Sequence, residues 1–166
     1  MTNFRYVDHE QVNNWLHNIV RDCTLANFRP GVIVSPSRGG LSLGVMLSHY
    51  FKVPFFALEM STRDHADAIP PSKIMIMNTL SRASLRGQGS LLFIDDINDT
   101  GTTLGMLDDI VDTMAADDLV LGDFRTAVLL EKPSSRAEAS FVGELIPEER
   151  EHEWVVFPWE NWWIRA

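Results

Sequence analysis

The stretch Leu91–Leu104, LLFIDDINDTGTTL, decides the fold. It begins with an apolar run, continues through three aspartates and a glycine, and ends where a helical pattern of apolar residues starts. We therefore predict a strand over Ser90–Ile94, a loop over Asp95–Thr102 and then a helix. The buried face of that helix is predicted to hold Leu104, Leu107, Ile110, Val111 and Met114.

The same order of strand and helix is found on both sides of this stretch. Val32–Val34 and Val53–Leu58 are typical of buried strands, and the segment 41–51, LSLGVMLSHYF, between them is typical of a helix. Arg125–Leu130 supplies a further strand. Alternating strands and helices predict an α/β fold, with a mostly parallel central sheet of about five strands flanked by helices.

A further helix is predicted near the N-terminus. Asp8 can cap it, and Gln11 stands three residues later, as in a capping box. The apolar residues that follow have helical spacing, which indicates that one face packs on the sheet. These residues are Val12, Trp15, Leu16, Ile19 and Val20.

Two segments depart from this alternation. Met60–Gly89 contains Pro70 and Pro71, and only Lys73–Asn78, KIMIMN, has the alternation of a strand, so we interpret the rest as a mobile loop. Residues 133–166 are rich in glutamate and tryptophan and are predicted to form a small hood. The prediction is a single domain over residues 1–166, with a core over about 1–132.

The composition and charge of the chain restrict the classes of function that we expect. The chain has 166 residues, 45% of them hydrophobic, a net charge of −9 and one cysteine, Cys23. We expect a soluble, cytoplasmic protein without a disulfide or a membrane segment. We also expect no nucleic-acid partner, because an acidic surface repels a phosphate backbone. An anionic ligand would have to be bound locally, by backbone amides, arginines and metal ions.

The central stretch carries the residues for such a ligand. An anion can bind the unpaired N–H groups where the helix begins, and Asp95 and Asp96 can accept hydrogen bonds from ribose hydroxyls or hold a hydrated Mg²⁺. Alternatively, a strand, an acidic turn and a threonine-rich helix start are purely structural. The residues predicted to bind a phosphate and its sugar are Asp95, Asp96, Asp99, Thr100, Gly101, Thr102 and Thr103.

The string D-D-x-x-D-T-G-x-T resembles the ribose-phosphate signature of type I phosphoribosyltransferases. Members of that family use 5-phosphoribosyl-1-pyrophosphate (PRPP) as the donor, so the resemblance implies a transferase. Asn98 stands at a position where related sequences vary, and Thr102 replaces a glycine found in many of them. The resemblance covers about Val32 to Trp159.

A second segment, Ser35–Leu41, SPSRGGL, follows the first buried strand. The Arg38 guanidinium can donate two hydrogen bonds to pyrophosphate oxygens, and the glycines allow backbone N–H groups to point toward the same anion. Alternatively, the glycines only form a turn at the start of a helix. The segment is similar to the pyrophosphate loop of the xanthine-guanine type. That resemblance implies that pyrophosphate is bound by Ser37, Arg38, Gly39 and Gly40. It also implies a cis peptide bond at Ser37–Arg38.

A third segment, in the C-terminal part, resembles the purine-binding hood of 6-oxopurine phosphoribosyltransferases. The resemblance implies that Lys132 donates to the exocyclic oxygen of the base, that Trp154 stacks on its ring and that Val155 also contacts it. The alternatives are a solvated lysine and a buried tryptophan. The implied reaction is purine salvage of guanine, xanthine or hypoxanthine, with PRPP and a nucleobase as ligands and Mg²⁺ as cofactor.

The resemblance also implies catalytic roles. Arg38 would stabilise the leaving pyrophosphate, and Asp99 would accept a proton from the base, unless Asp99 only caps a turn. A pyrimidine phosphoribosyltransferase and a regulator that senses PRPP or a nucleotide without turnover remain alternatives. Neither a dinucleotide fingerprint nor a P-loop motif is present. The family is commonly oligomeric, so we expect a homo-oligomer, either a dimer or a tetramer.

Overall fold

A five-stranded sheet forms the centre of the molecule in the computed structural model, which describes residues 3–59, 73–119 and 122–163. The sheet order is β3-β2-β4-β5-β6, and every pairing is parallel. Its strands are β2 (Val32–Pro36), β3 (Phe55–Leu58), β4 (Ser90–Asn98), β5 (Asp123–Glu131) and β6 (Phe141–Leu145). The predicted α/β fold with a mostly parallel sheet of about five strands is confirmed.

Helices cover both faces of this sheet. On one face, α1 (His9–Leu25) and α2 (Leu41–Phe51) share a core with Leu92 and Ile94 of β4. On the other face, α3 (Lys73–Arg86) and α4 (Thr102–Ala116) share a core with Leu91 and Phe93. Successive side chains of a strand point to opposite faces, so the continuous apolar run of β4 contributes to both cores.

The predicted capping box starts α1. The Gln11 backbone N–H donates to Asp8 Oδ1 at 2.8 Å, and the Asp8 N–H donates to Gln11 Oε1 at 3.0 Å. None of the helices within the described ranges is both long and apolar enough to cross a membrane.

The predicted strand over Lys73–Asn78 is wrong, because these residues form the first part of α3. Ile76, Leu80 and Ala83 are buried at helical spacing, whereas Ile74 is 68% exposed and Met75 is 51% exposed. The buried residues therefore recur with the period of a helix and not with the two-residue alternation of KIMIMN. The predicted loop is also shorter than expected, and the part of it over 60–72 lies outside the described residues.

The fifth strand of the sheet comes from the C-terminal segment. β6 pairs with β5, so this part of the predicted hood extends the core sheet. Another part of the hood, β7 (Trp154–Val156), pairs with β1 (Phe4–Tyr6) in a separate two-stranded parallel sheet. No prediction included β1, because three residues give too short a pattern to identify.

β4 is longer than predicted. It continues through Asp95 and Asp96 to Asn98, which pairs with Glu131 of β5. The predicted loop over Asp95–Thr102 is therefore wrong in its first half. The sheet register, which the local sequence does not show, holds these carboxylates at the carboxyl end of the sheet.

Candidate functional site

A cavity of about 860 Å³ opens at the carboxyl ends of β2, β4 and β5 and is closed on one side by the hood. It brings together all three segments that the sequence singled out. Of the predicted site residues, those that line it are Ser37, Arg38, Gly39, Asp95, Asp96, Asp99, Thr100, Gly101, Thr102, Thr103, Lys132, Trp154 and Val155.

The turn at Gly101 starts α4 and forms the floor of the predicted phosphate site. Gly101 has a φ of 79°, and a Cβ atom at this position would lie 2.6 Å from the Ala137 backbone nitrogen. Only glycine fits both constraints. No side chain caps the first turn of α4, and the hydroxyl oxygens of Thr100 and Thr102 are 2.8 Å apart beside it. This arrangement offers N–H and O–H donors to an anion.

The predicted pyrophosphate loop is anchored by the Ser37 N–H, which donates to the Leu58 carbonyl at 2.6 Å. The predicted cis peptide at Ser37–Arg38 is wrong, since no described peptide bond is cis. The unusual geometry is instead the φ of 113° at Arg38, a left-handed value that is strained for a residue with a side chain. Gly39 lies against the Asp96 carboxylate, which leaves no room for a Cβ atom.

Gly40 is the one predicted site residue that does not line the cavity. It packs closely against the Ile94 carbonyl and the Pro36 ring, below the loop. Its small size serves the contact between α2 and the sheet, and its predicted role in pyrophosphate binding stays a prediction.

Asp95 and Asp96 are the carboxylates available for a metal ion. Asp95 Oδ1 accepts a hydrogen bond from the Asp96 N–H at 2.9 Å, and both residues line the cavity. Within the described ranges, no cluster of three or more histidine, cysteine or acidic side chains is arranged to hold a metal. Two carboxylates fit Mg²⁺, which usually takes one or two of them and fills its octahedron with water and substrate oxygens.

Asp99 and Lys132 form an ion pair at the carboxyl ends of β4 and β5. Lys132 Nζ lies 2.6 Å from Asp99 Oδ1, and the side chains are 18% and 23% exposed. Asp99 follows β4 and Lys132 follows β5, and the Lys132 N–H donates to the Asn98 carbonyl at 3.0 Å. The pair presents a charged donor and a charged acceptor side by side.

The hood presents an aromatic face to this pair. Trp154 is 53% exposed and lines the cavity, so burial does not account for it. Trp159 also lines the cavity and stacks on Phe157 with 5.0 Å between ring centroids. Two hydrogen bonds from Arg150 hold the Glu153 carboxylate at the cavity edge and lower its pKa.

A second cavity, of about 670 Å³, lies on the other side of the ion pair. It shares Asp99, Thr100, Thr102 and Lys132 with the first cavity. The residues that line only the second are Ser134, Arg136, Glu148, Glu151 and His152. Hydrogen bonding from Ser134 lowers the pKa of Glu151 in this wall. Nothing in the local sequence indicates that the 134–136 and 148–152 segments meet here.

Comparison with known families gives one match that spans nearly the whole chain. The family model described as a phosphoribosyl transferase domain matches residues 6–161, which include every predicted site residue. No curated protein sequence matches the chain at a significant level.

Several solved structures share the fold. A purine phosphoribosyltransferase from Pyrococcus horikoshii is 22% identical, with a TM-score of 0.64 over 95% of this chain and 94% of that one. A xanthine-guanine-hypoxanthine phosphoribosyltransferase from Helicobacter pylori is 17% identical, with a TM-score of 0.64 over 96% and 95%. A hypothetical protein from Neisseria gonorrhoeae with bound ppGpp is 15% identical, with a TM-score of 0.61 over 97% and 91%.

Proposed function

The chain belongs to the phosphoribosyltransferase family, and we propose that it transfers the 5-phosphoribosyl group from PRPP to a 6-oxopurine. The acceptor would be guanine, xanthine or hypoxanthine, and the products a nucleoside 5′-monophosphate and pyrophosphate. The similar folds of a purine enzyme and a xanthine-guanine-hypoxanthine enzyme support this choice of acceptor.

The observation that carries the proposal is the Asp99–Lys132 pair, with Trp154 lining the same cavity. A 6-oxopurine has a carbonyl oxygen and an imidazole nitrogen on neighbouring positions of one edge. Lys132 would donate to the oxygen, and Asp99 would accept the proton of the nitrogen. A pyrimidine lacks the imidazole ring, so it would leave Asp99 without a partner.

The reaction forms a bond from N9 of the base to C1′ of the ribose and breaks the bond from C1′ to the pyrophosphate oxygen. Positive charge develops on the sugar as in other glycosyl transfers. Asp99 would take the proton that the base loses at N7, and Trp154 would hold the ring by stacking.

The leaving group needs charge stabilisation. Arg38 would donate hydrogen bonds to the pyrophosphate oxygens, and the turn at Gly101 would bind the 5′-phosphate. The two contacts would hold PRPP at both ends. Asp95 and Asp96 would hold Mg²⁺, which would supply further neutralisation of the departing charge.

A steady-state assay with PRPP, MgCl₂ and each nucleobase in turn tests the proposal. We expect turnover with at least one 6-oxopurine, and we expect Asp99→Ala and Lys132→Ala to reduce kcat/KM by about 100-fold or more. Asp109→Ala is the matched control, because Asp109 is an exposed acidic residue on α4 away from the cavity. Turnover with orotate or uracil alone would overturn the choice of acceptor.

The second candidate is a regulator that binds a nucleotide without turnover. The Neisseria gonorrhoeae protein, whose fold is similar, was solved with bound ppGpp, and that observation favours this alternative. Calorimetric titration with ppGpp, PRPP and GMP separates the two. Binding of these ligands with no product from any base would establish the regulator and reject the transferase.

A further inference from the structure

Two polar side chains are buried directly behind the Asp99–Lys132 pair. Asn98, the last residue of β4, is 4% exposed, and Glu131, the last residue of β5, is 7% exposed. Apolar residues at these positions would avoid the desolvation of an amide and a carboxyl group. Glu131 does not line either cavity, so direct contact with a ligand in them does not explain it.

These side chains form a closed hydrogen-bond network with the segment 135–139. Asn98 Nδ2 donates to Glu131 Oε2 at 2.7 Å and to the Ala137 carbonyl at 2.6 Å. Ser135 Oγ donates to Asn98 Oδ1 at 2.9 Å, and the Ala139 N–H donates to Glu131 Oε2 at 2.8 Å. Both polar atoms of the Asn98 amide are therefore engaged, which fixes its orientation.

The network bears directly on the ion pair. Asp99 and Lys132 are the next residues along the chain, and the Ser135 N–H closes the turn by donating to the Lys132 carbonyl at 3.0 Å. The ion pair lines both cavities, and its two side chains are 18% and 23% exposed. The strand ends and the turn that the network anchors hold the backbone from which the Lys132 and Asp99 side chains extend.

We propose that Glu131, acting through Asn98, is a positioning residue that holds Lys132 against Asp99 in the geometry that receives the base. This inference rests on the proposed function, and it adds a specificity role for a residue that does not line the cavity. The hydrogen bonds of Glu131 reach Asn98 and Ala139 at the base side of the site. Arg38 follows β2, and Asp95 and Asp96 precede Asn98 in β4. We therefore expect the network to act on the base more than on the donor.

Two substitutions of Glu131 separate positioning from bulk stability. Both hydrogen bonds to Glu131 end on Oε2. Glu131→Gln can place its carbonyl oxygen there and keep both bonds, whereas Glu131→Met has a similar volume and keeps neither. We expect Glu131→Met to raise KM for the base or lower kcat by roughly 10- to 100-fold, with KM for PRPP within about twofold of wild type. Glu131→Gln should restore wild-type values.

Ser135→Ala is a milder variant in case Glu131→Met does not fold, because Ser135 is only half-buried and donates to the edge of the network. It should raise KM for the base by about threefold. Ser140→Ala is the control, since Ser140 Oγ accepts a hydrogen bond from the Thr126 N–H away from the cavity. It should leave both KM values unchanged.

Crystal structures of the variants give a readout that does not need activity. Separation of Lys132 from Asp99 in Glu131→Met, with contact kept in Glu131→Gln, supports positioning even if the wild type turns over no base, in which case only the proposed function fails. An intact Lys132–Asp99 contact in Glu131→Met would overturn the inference. Equal changes in the KM values for base and PRPP would also overturn it.

Discussion

At the scale of single residues, Arg38 combines a charge suited to pyrophosphate with a backbone angle that favours glycine. Its φ is 113°. We expect Arg38→Gly and Arg38→Ala to weaken pyrophosphate binding alike, by about tenfold or more, because both remove the guanidinium. The glycine variant should be more stable than the alanine variant by about 1 kcal/mol, because only glycine relieves the strain.

Calorimetric titration with pyrophosphate and urea unfolding measure these two effects separately. The comparison of glycine with alanine cancels whatever other contacts the guanidinium makes. Equal free energies of unfolding for Arg38→Gly and Arg38→Ala would show that the angle at Arg38 stores no strain.

Cys23 links stability to alkaline pH. It is fully buried in α1, and burial, helped by the nearby Asp22 charge, raises the pKa of its thiol from 9.0 to about 12. Below pH 9 both the folded and the unfolded chain keep the proton. Between these pKa values only the unfolded chain loses it, so the free energy of unfolding falls as the pH rises.

Urea unfolding of wild type and Cys23→Ala at about pH 8 and pH 10.5 tests this coupling. We expect the wild type to lose about 1–2 kcal/mol more than Cys23→Ala over that interval, since other alkaline titrations are common to both chains. Identical losses would mean that Cys23 ionises with its ordinary pKa in the folded state.

At the scale of elements, the hood strand β7 depends on β1, which is bound to the core by one buried arginine. Arg5 pairs with Val155 in the register. Its Nη2 lies 2.7 Å from Glu144 Oε1 of β6, and Trp15 of α1 donates to the other oxygen of that carboxylate at 2.9 Å. The Arg5 guanidinium also lies 5.4 Å from the centre of the Trp15 ring.

Arg5→Met should loosen the hood. We expect the free energy of unfolding to fall by about 1–2 kcal/mol, because the partly exposed Glu144 loses its charged partner but keeps Trp15. Hydrogen exchange should speed up at Val155 and Val156 and stay unchanged in α3. Arg21→Met is the control, because the Arg21–Asp22 pair is on the surface and should contribute little. Unchanged exchange in β7 would show that Arg5 does not anchor it.

The α3 segment shows how element type depends on burial. In KIMIMN the alternation of Ile74 and Ile76 is typical of a strand, yet only Ile76 is buried, together with Leu80 one turn later. A short apolar run is compatible with the period of a strand and with that of a helix. The surface on which the segment packs decides between them, and here that surface is the sheet face of β2 and β4. The sequence alone could not supply that surface.

At the scale of the whole molecule, α2 presents an exposed apolar face beside the site. Its exposed residues are Leu41, Val45, Met46 and Tyr50, at 40%, 40%, 41% and 59% of their surfaces. We expect the protein to form a dimer or a tetramer that covers this face. A net charge of −9 per chain should oppose assembly at low salt, so salt should strengthen it.

Light scattering coupled to gel filtration measures this at about 0.02 M and 0.5 M salt. Met46→Lys should shift the protein toward monomer, while Trp162→Lys, at an exposed tryptophan of the C-terminal segment, should not if α2 forms the contact. A monomer in both salts at every concentration would contradict the expectation, and a loss of assembly only in Trp162→Lys would move the contact to the C-terminal segment.

The sequence by itself determined the parts of this protein whose signals are local. The run from Leu91 to Leu104 predicts a strand, a glycine turn and a helix, because apolar spacing and the conformational freedom of Gly101 act within a few residues. The Asp8 cap of α1 and the apolar face of α4 are predicted for the same reason. The candidate site residues come from such segments, helped by their resemblance to a known family.

Only the tertiary structure decided which distant segments meet. Asp99 contacts Lys132, Glu131 is buried against Asn98, β6 completes the sheet, and β1 pairs with the hood strand. These contacts depend on sheet register and on the packing of separate elements, whose free energy comes from surfaces that no single segment carries. The position of the ion pair between two cavities, and the buried network that holds it, therefore become visible only in the folded chain.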